Sequence, residues 1–261
     1  TLTFGGSSFL SMASGMLVFK NGTFNIQTVI NANELIVDPL ATLTGGDMTF
    51  SGLNLTNGGS IEFTDLSMTG SLQQTIFGQG SIEKLTILNP FDVVIQGTQT
   101  INQDLNFNNG KLITNLSNVI IGASATITNA SSTSYVVGNL QRDFTSTGVK
   151  DYPIGDATQY APVSLNVQVI VPGGGIIART EPGVHPEIAS SGIDPDKAVN
   201  RFWNLTNAGL NFQDLVVTFN WDAADVDLNA DFNNFIVKKY DAPDWIDFQV
   251  FNRTSLSITA G

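Results

Sequence analysis

Two glutamates recur in the same setting twenty-one residues apart: Gly59-Ser60-Ile61-Glu62 returns as Gly80-Ser81-Ile82-Glu83. Two carboxylates held within about 5 Å can work as an acid–base pair or share a cation. Successive turns of a stacked fold would bring them that close. A polysaccharide lyase working from such a face also needs Lys or Arg to neutralise a uronate. The first 130 residues hold only Lys20, Lys84 and Lys111. The reading favoured by this composition makes both glutamates outward neighbours of a turn, with Ile61 and Ile82 as the buried residues.

A second pattern suggests metal. Asp225, Asp227, Asn229 and Asp231 place oxygen donors at alternating positions, as at the start of an EF-hand loop. That loop requires Gly at its sixth position and Glu at its twelfth; Ala230 and Ile236 stand there instead. What is left is a looser calcium site on these four residues, set against an acidic, solvated connection. His185 is the only histidine, in Pro182-Gly183-Val184-His185-Pro186, and no Gly-x-Ser-x-Gly occurs. It is expected to order its loop by a hydrogen bond rather than to catalyse.

Three further features bear on binding. Gly173-Gly174-Gly175 opens no helix and lacks the Gly-Lys-Ser/Thr of a phosphate cradle. Strand alternation puts Val199, Arg201, Trp203 and Leu205 on one face, so Trp203 is expected in the core with Arg201 along its edge. Trp245 follows Asp241-Ala242-Pro243-Asp244, near a turn, and is expected to be the exposed aromatic available for stacking on a glycan. The Asn-x-Ser/Thr triplets at Asn21, Asn54, Asn115, Asn129, Asn204 and Asn252 are what this composition supplies by chance, and the Thr-x-Thr pairs do not recur at one interval.

The totals narrow the partners. With 11 basic and 23 acidic residues, the net charge is −12, which disfavours nucleic acid and anionic membranes. Only 13% of residues are charged, against about 25% in an ordinary domain. The polar surface must therefore come from Asn, Thr, Ser and Gly. Without cysteine there is no disulfide, thiolate metal site or cysteine nucleophile. No apolar run approaches the ~18 residues of a spanning helix. The opening stretch lacks a basic leader, so the chain reads as a portion of something longer.

Two textures divide the elements that would position these residues. Residues 1–132 are short apolar pieces punctuated by glycine, with strand patterns at Leu53–Leu55, Ile61–Phe63, Leu85–Ile87, Val93–Ile95, Leu105–Phe107, Val119–Ile121 and Ala125–Ile127. Three short strands in a period near 20 residues are the pattern of a parallel β-solenoid of about six turns. Residues 133–261 alternate more strictly, as in Val163-Ser164-Leu165-Asn166-Val167-Gln168-Val169 and Leu215, Val217, Phe219 and Trp221. About eight such strands, starting with Ser134–Leu140, predict an antiparallel, immunoglobulin-like β-sandwich. Residues 181–197 read as a long loop.

Blocks in the later part of the chain bear a family likeness. They run from Ser134-Tyr135-Val136-Val137-Gly138 through Pro153-Ile154-Gly155-Asp156, Tyr160 and Pro162-Val163 to Gly183-Val184-His185-Pro186. They continue with Val199-Asn200-Arg201-Phe202-Trp203, Thr206-Asn207-Ala208-Gly209 and Lys239-Tyr240-Asp241. This order resembles repetitive, adhesin-like surface proteins of Bacteroidota exported by the type IX route, with Phe202 in place of the usual Tyr. The resemblance implies a non-enzymatic extracellular module at the surface of a Gram-negative bacterium, working in adhesion or in a surface layer or filament. Its partners would be neighbouring domains of a longer chain, other surface proteins or glycans, without nucleic acid or membrane insertion. It transfers no catalytic residue. A carbohydrate-binding or polysaccharide-lyase-like β-helix module is the alternative.

Overall fold

Apolar residues at every second position, interrupted every few residues by glycine, fold into stacked parallel strands. The computed structural model describes residues 2–4, 10–27, 30–168, 170–171 and 173–261. Its two compact units are Thr1–Asp143 and Phe144–Gly261. The first is a parallel β-solenoid of about seven turns.

Three faces carry the stacking, each with a column of inward side chains. On one, Leu17, Leu35, Leu55, Ile76 and Ile95 are successive partners. On the second, Leu43, Ile61, Ile82, Ile101 and Ile121 follow one another. On the third, the column is Met48, Leu66, Leu85, Leu105 and Ile127. Ile61 and Ile82 are partners and fully buried, whereas Glu62 is exposed. The repeated motif therefore marks one turn of the solenoid. Each buried isoleucine stabilises the fold by about 1.5–3 kcal/mol relative to leaving it in water.

The glycines between faces have a steric cause. Gly78 and Gly97 are partners in adjacent turns with φ of 93° and 127°. A Cβ on Gly97 would lie 2.1 Å from the Gly78 carbonyl oxygen, so the corner admits no side chain. Buried amides pin the same corners. Gln99 Nε2 donates to the carbonyls of Asn57 (3.1 Å) and Gly78 (3.0 Å), and its Oε1 accepts from Asn57 Nδ2 at 2.9 Å. Elsewhere Gln74 Nε2 donates to the Phe50 and Gly52 carbonyls, and its Oε1 accepts from Gly70 N–H. These bonds satisfy backbone groups that turn out of the ladder at the corners Gln74 and Gln99 occupy.

Val136–Asp143, which overlaps the Ser134–Leu140 stretch read from sequence as the first sandwich strand, pairs in parallel with Leu112–Ile121 and belongs to the solenoid. Its buried residues Val136 and Leu140 stack opposite the buried Leu112 and Val119 of the preceding turn. The compact units accordingly divide after Asp143 rather than after residue 132.

The second unit is antiparallel and sandwich-like. A five-stranded sheet runs in the order Gly148–Tyr152, Val163–Val167, Leu215–Asn220, Ser257–Ala260, Val250–Arg253. Val163, Leu165 and Val167 are buried as their alternation requires; Val169 and the side chain of Val171 lie outside the described residues. Gly175–Pro182 pairs with Arg201–Ala208. The Trp203 ring lies 4.9 Å from that of Phe219, and the Tyr152 hydroxyl donates to the Ile176 carbonyl at 3.0 Å, which ties this pair to the five-stranded sheet. Between Pro182 and Arg201 the only regular element is the 3-10 turn Ile188–Ser190. Asp244–Phe248 forms a hairpin with Val237–Asp241, whereas Val250–Arg253, two residues on, joins the large sheet.

If the isoleucine columns hold the turns together, Ile82→Ala should cost about 2–5 kcal/mol, because the stack cannot collapse around the cavity. Glu62→Gln, at the neighbouring motif, should stay within about 0.5 kcal/mol of the native chain. Equilibrium urea unfolding measures both.

Candidate functional site

The repeated glutamates open onto a shallow depression of about 560 Å³ lined by Glu62, Phe63, Thr64, Glu83 and Gln103. Both carboxylates are already engaged. Glu83 accepts from Asn102 Nδ2 at 3.0 Å and from Gln103 Nε2 at 2.7 Å, across the irregularity where the next turn slips register. Glu62 accepts from Ser60 Oγ at 3.0 Å, and Ser60 Oγ in turn accepts from Ser81 Oγ at 3.1 Å. On the third face, hydrogen bonds climb four successive turns. Thr86 Oγ1 donates to Asp65 (2.6 Å) and accepts from Asn106 Nδ2 (3.2 Å), while Thr128 Oγ1 donates to Asn106 Oδ1 (3.1 Å). Lys84 Nζ, next in sequence to Glu83, reaches Asp65 at 3.9 Å. These outer polar groups bind one turn to the next.

The densest electrostatic centre lies in the second unit, around Arg201. Its side chain is fully buried, with NH2 2.8 Å from Asp156 Oδ2 and Nε 2.8 Å from Asp225 Oδ2. NH2 also donates to Gln159 Oε1 at 2.6 Å. Burial pushes the Asp156 carboxyl up, but the Thr158 N–H and hydroxyl, the Gln159 N–H and the Arg201 guanidinium outweigh it and hold the group at about 2. Burial likewise works against the Arg201 charge, yet Asp225 and Asp156 raise its pKa above the usual value. Trp203 Nε1 donates to the Ala161 carbonyl at 3.1 Å, so two sequence blocks far apart in the chain meet here twice. Alternation alone puts Arg201 along the edge of Trp203; neither Asp156 nor the pairing with Asp225 is readable from it.

This use of Asp225 dissolves the calcium pattern into separate local roles. Asp225 pairs with Arg201 and completes a capping box with Asp222. Asp227 accepts from Ala198 N–H (2.9 Å) and Asn200 Nδ2 (2.6 Å). Asp231 caps the 3-10 turn Phe232–Asn234 by accepting from Asn233 N–H. Asn229 takes a left-handed φ of 69°. Among the described residues, no group of three or more His, Cys, Asp or Glu is placed to hold a metal ion.

His185 and Trp245 meet in a cluster of rings. The imidazole centroid lies 5.2 Å from Phe202, 5.0 Å from Tyr240 and 5.1 Å from Trp245, and Tyr240 and Trp245 are 5.1 Å apart. All four residues are half-buried. His185 Nδ1 accepts the Glu187 N–H at 3.1 Å, a loop-ordering bond. Trp245 is less free than its position near a turn suggests, because Nε1 donates to the Glu187 carbonyl (3.2 Å) and to Ser190 Oγ (3.1 Å). Sequence spacing could not bring His185 beside Trp245, since the contact depends on the loop folding back to the hairpin. Gly174 serves close packing: its Cβ would lie 2.3 Å from the Gly209 backbone.

Comparison with protein-family models, curated proteins and solved structures gives no match. The likeness to Bacteroidota surface proteins thus rests on the sequence blocks alone. Among the described residues no helix is long and apolar enough to cross a membrane, which leaves β-barrel spans unaddressed.

Arg201→Met should destabilise the second unit by about 3–5 kcal/mol, because it leaves buried carboxylates without their counter-charge. Chemical unfolding followed by tryptophan fluorescence reads this directly. Asp156, depressed to about 2 when folded from an ordinary value of about 3.9, contributes stability that is present above pH ~4. That contribution is lost as pH falls from ~4 toward 2. Asp156→Asn should therefore show a shallower loss of stability over this window than the native chain. Since the Asp225–Asp231 carboxylates are engaged by protein donors, the melting temperature should be the same in excess calcium and in excess chelator.

Proposed function

We propose that this chain is a non-enzymatic extracellular module of a bacterial surface protein, in which a β-solenoid is followed by a β-sandwich, and that it serves adhesion or the building of a surface layer or filament. The observation that carries this reading is the use of outward polar side chains as rung-to-rung ladders, as in Asp65–Thr86–Asn106–Thr128. Such a surface stiffens a rod with few charges, consistent with a chain of which 13% is charged. The resemblance to type IX cargo of Bacteroidota supports the same role and an address outside a Gram-negative cell. Neighbouring domains of a longer chain or other surface proteins would be its partners. A uronate lyase acting through Glu62 and Glu83 fits less well. Glu83 already holds two amides, and Lys84, its neighbour in sequence, reaches Asp65.

Antibodies against the chain should label intact cells of the source organism without permeabilisation, and externally added protease should remove the label. Labelling that appears only after permeabilisation would contradict the surface assignment. Cleavage of tetragalacturonate that disappears in the Glu62→Gln/Glu83→Gln double variant would replace it with the lyase reading.

A further inference from the structure

We propose that the ring cluster of the second unit is a binding site for a neutral pyranose sugar. This supplies a ligand class for the adhesive role and rests on that role. The cluster draws on separate segments: His185 comes from the loop, Phe202 from the Arg201–Ala208 strand, and Tyr240 and Trp245 are cross-strand partners in the hairpin. All four residues are half-buried rather than sealed in a core. Packing at 5.0–5.2 Å holds the rings in place before any ligand arrives, so little side-chain freedom is lost on binding.

Polar groups suited to sugar hydroxyls surround this surface. Because His185 Nδ1 accepts the Glu187 N–H, the ring N–H lies on Nε2, making that nitrogen a donor. Among the described residues neither His185 Nε2 nor the Tyr240 hydroxyl has a hydrogen-bond partner. Because side chains alternate along a strand, Lys238 and Asp247 lie on the same hairpin face as Tyr240 and Trp245, one pair further on. Lys238 Nζ neutralises Asp247 at 3.0 Å, yet the Asp247 side chain is 78% exposed, leaving acceptor capacity for hydroxyl groups. A pyranose ring matches this set with an apolar C–H face against the aromatic rings and hydroxyls toward Tyr240, His185 and Asp247. The net charge of −12 selects against uronates and sialylated glycans.

Titration calorimetry of the full chain with cellotetraose, laminaritetraose, β-1,4-galactotetraose and tetragalacturonate tests the assignment. At least one neutral tetraose should bind. Tyr240→Phe and Asp247→Asn should each weaken it about 3- to 10-fold, the loss of one hydrogen bond, at unchanged melting temperature. Lys239→Gln, on the opposite hairpin face, should bind as the native chain does. Absence of binding by every neutral tetraose, equal binding by both site variants, or preferential binding of tetragalacturonate would overturn the site. Failure here with positive labelling of intact cells removes the sugar site alone; failure of the labelling removes the surface role on which it rests.

Discussion

Parallel stacking imposes one register on the whole solenoid. Neighbouring turns lie about 4.8 Å apart, and a slip of one residue would turn every inward side chain outward. The columns through Leu55, Ile61 and Leu66 therefore stand or fall together. Corner glycines follow from the same constraint, since a carbonyl of one turn occupies the place where the next turn's Cβ would go, as at Gly78 and Gly97. So do the buried amides of Gln74 and Gln99, which satisfy backbone groups that the corners remove from the ladders. Outside, the hydrogen bonds from Asp65 to Thr128 repeat the spacing set by the interior.

The second unit solves a different problem, that of uniting antiparallel pieces joined by long connections. Arg201 does this by joining Asp156, from the segment before the Val163–Val167 strand, to Asp225, from the 3-10 turn after Leu215–Asn220. A buried guanidinium tolerates few alternative partners, so the pairing selects one arrangement of these connections. The neighbouring loop is held by softer contacts, the Trp245 indole N–H and the imidazole of His185 among the rings. This region is less buried than the Arg201 centre.

How much of this was legible from the residues depended on the range of the interaction. The repeat of Gly-Ser-Ile-Glu revealed the turn length and the inward isoleucines, because stacking copies one local pattern at each turn. Strand alternation likewise identified the buried face of Val163, Leu165 and Val167. The end of the solenoid was misplaced, since Val136–Asp143 alternates equally well as either kind of strand and only its pairing decides. The row Asp225, Asp227, Asn229 and Asp231 resembled a metal loop because carboxylates at alternate positions serve cation binding and turn capping alike. The partner of Asp225 is a guanidinium that local spacing cannot reveal. Nor could spacing join His185 to Trp245.

The chain lacks cysteine, so two introduced cysteines report on register without competing thiols. Ser60 and Ser81 are partners in adjacent turns with hydroxyls 3.1 Å apart, within the geometry that a disulfide can bridge. The direct measurement is mild oxidation of the Ser60→Cys/Ser81→Cys variant under native conditions, followed by mass mapping. A register-locked solenoid gives near-complete disulfide closure in this variant, and little closure in a Ser60→Cys/Thr86→Cys variant. Equal closure in the two variants, or none in the first while the chain remains folded, would contradict it.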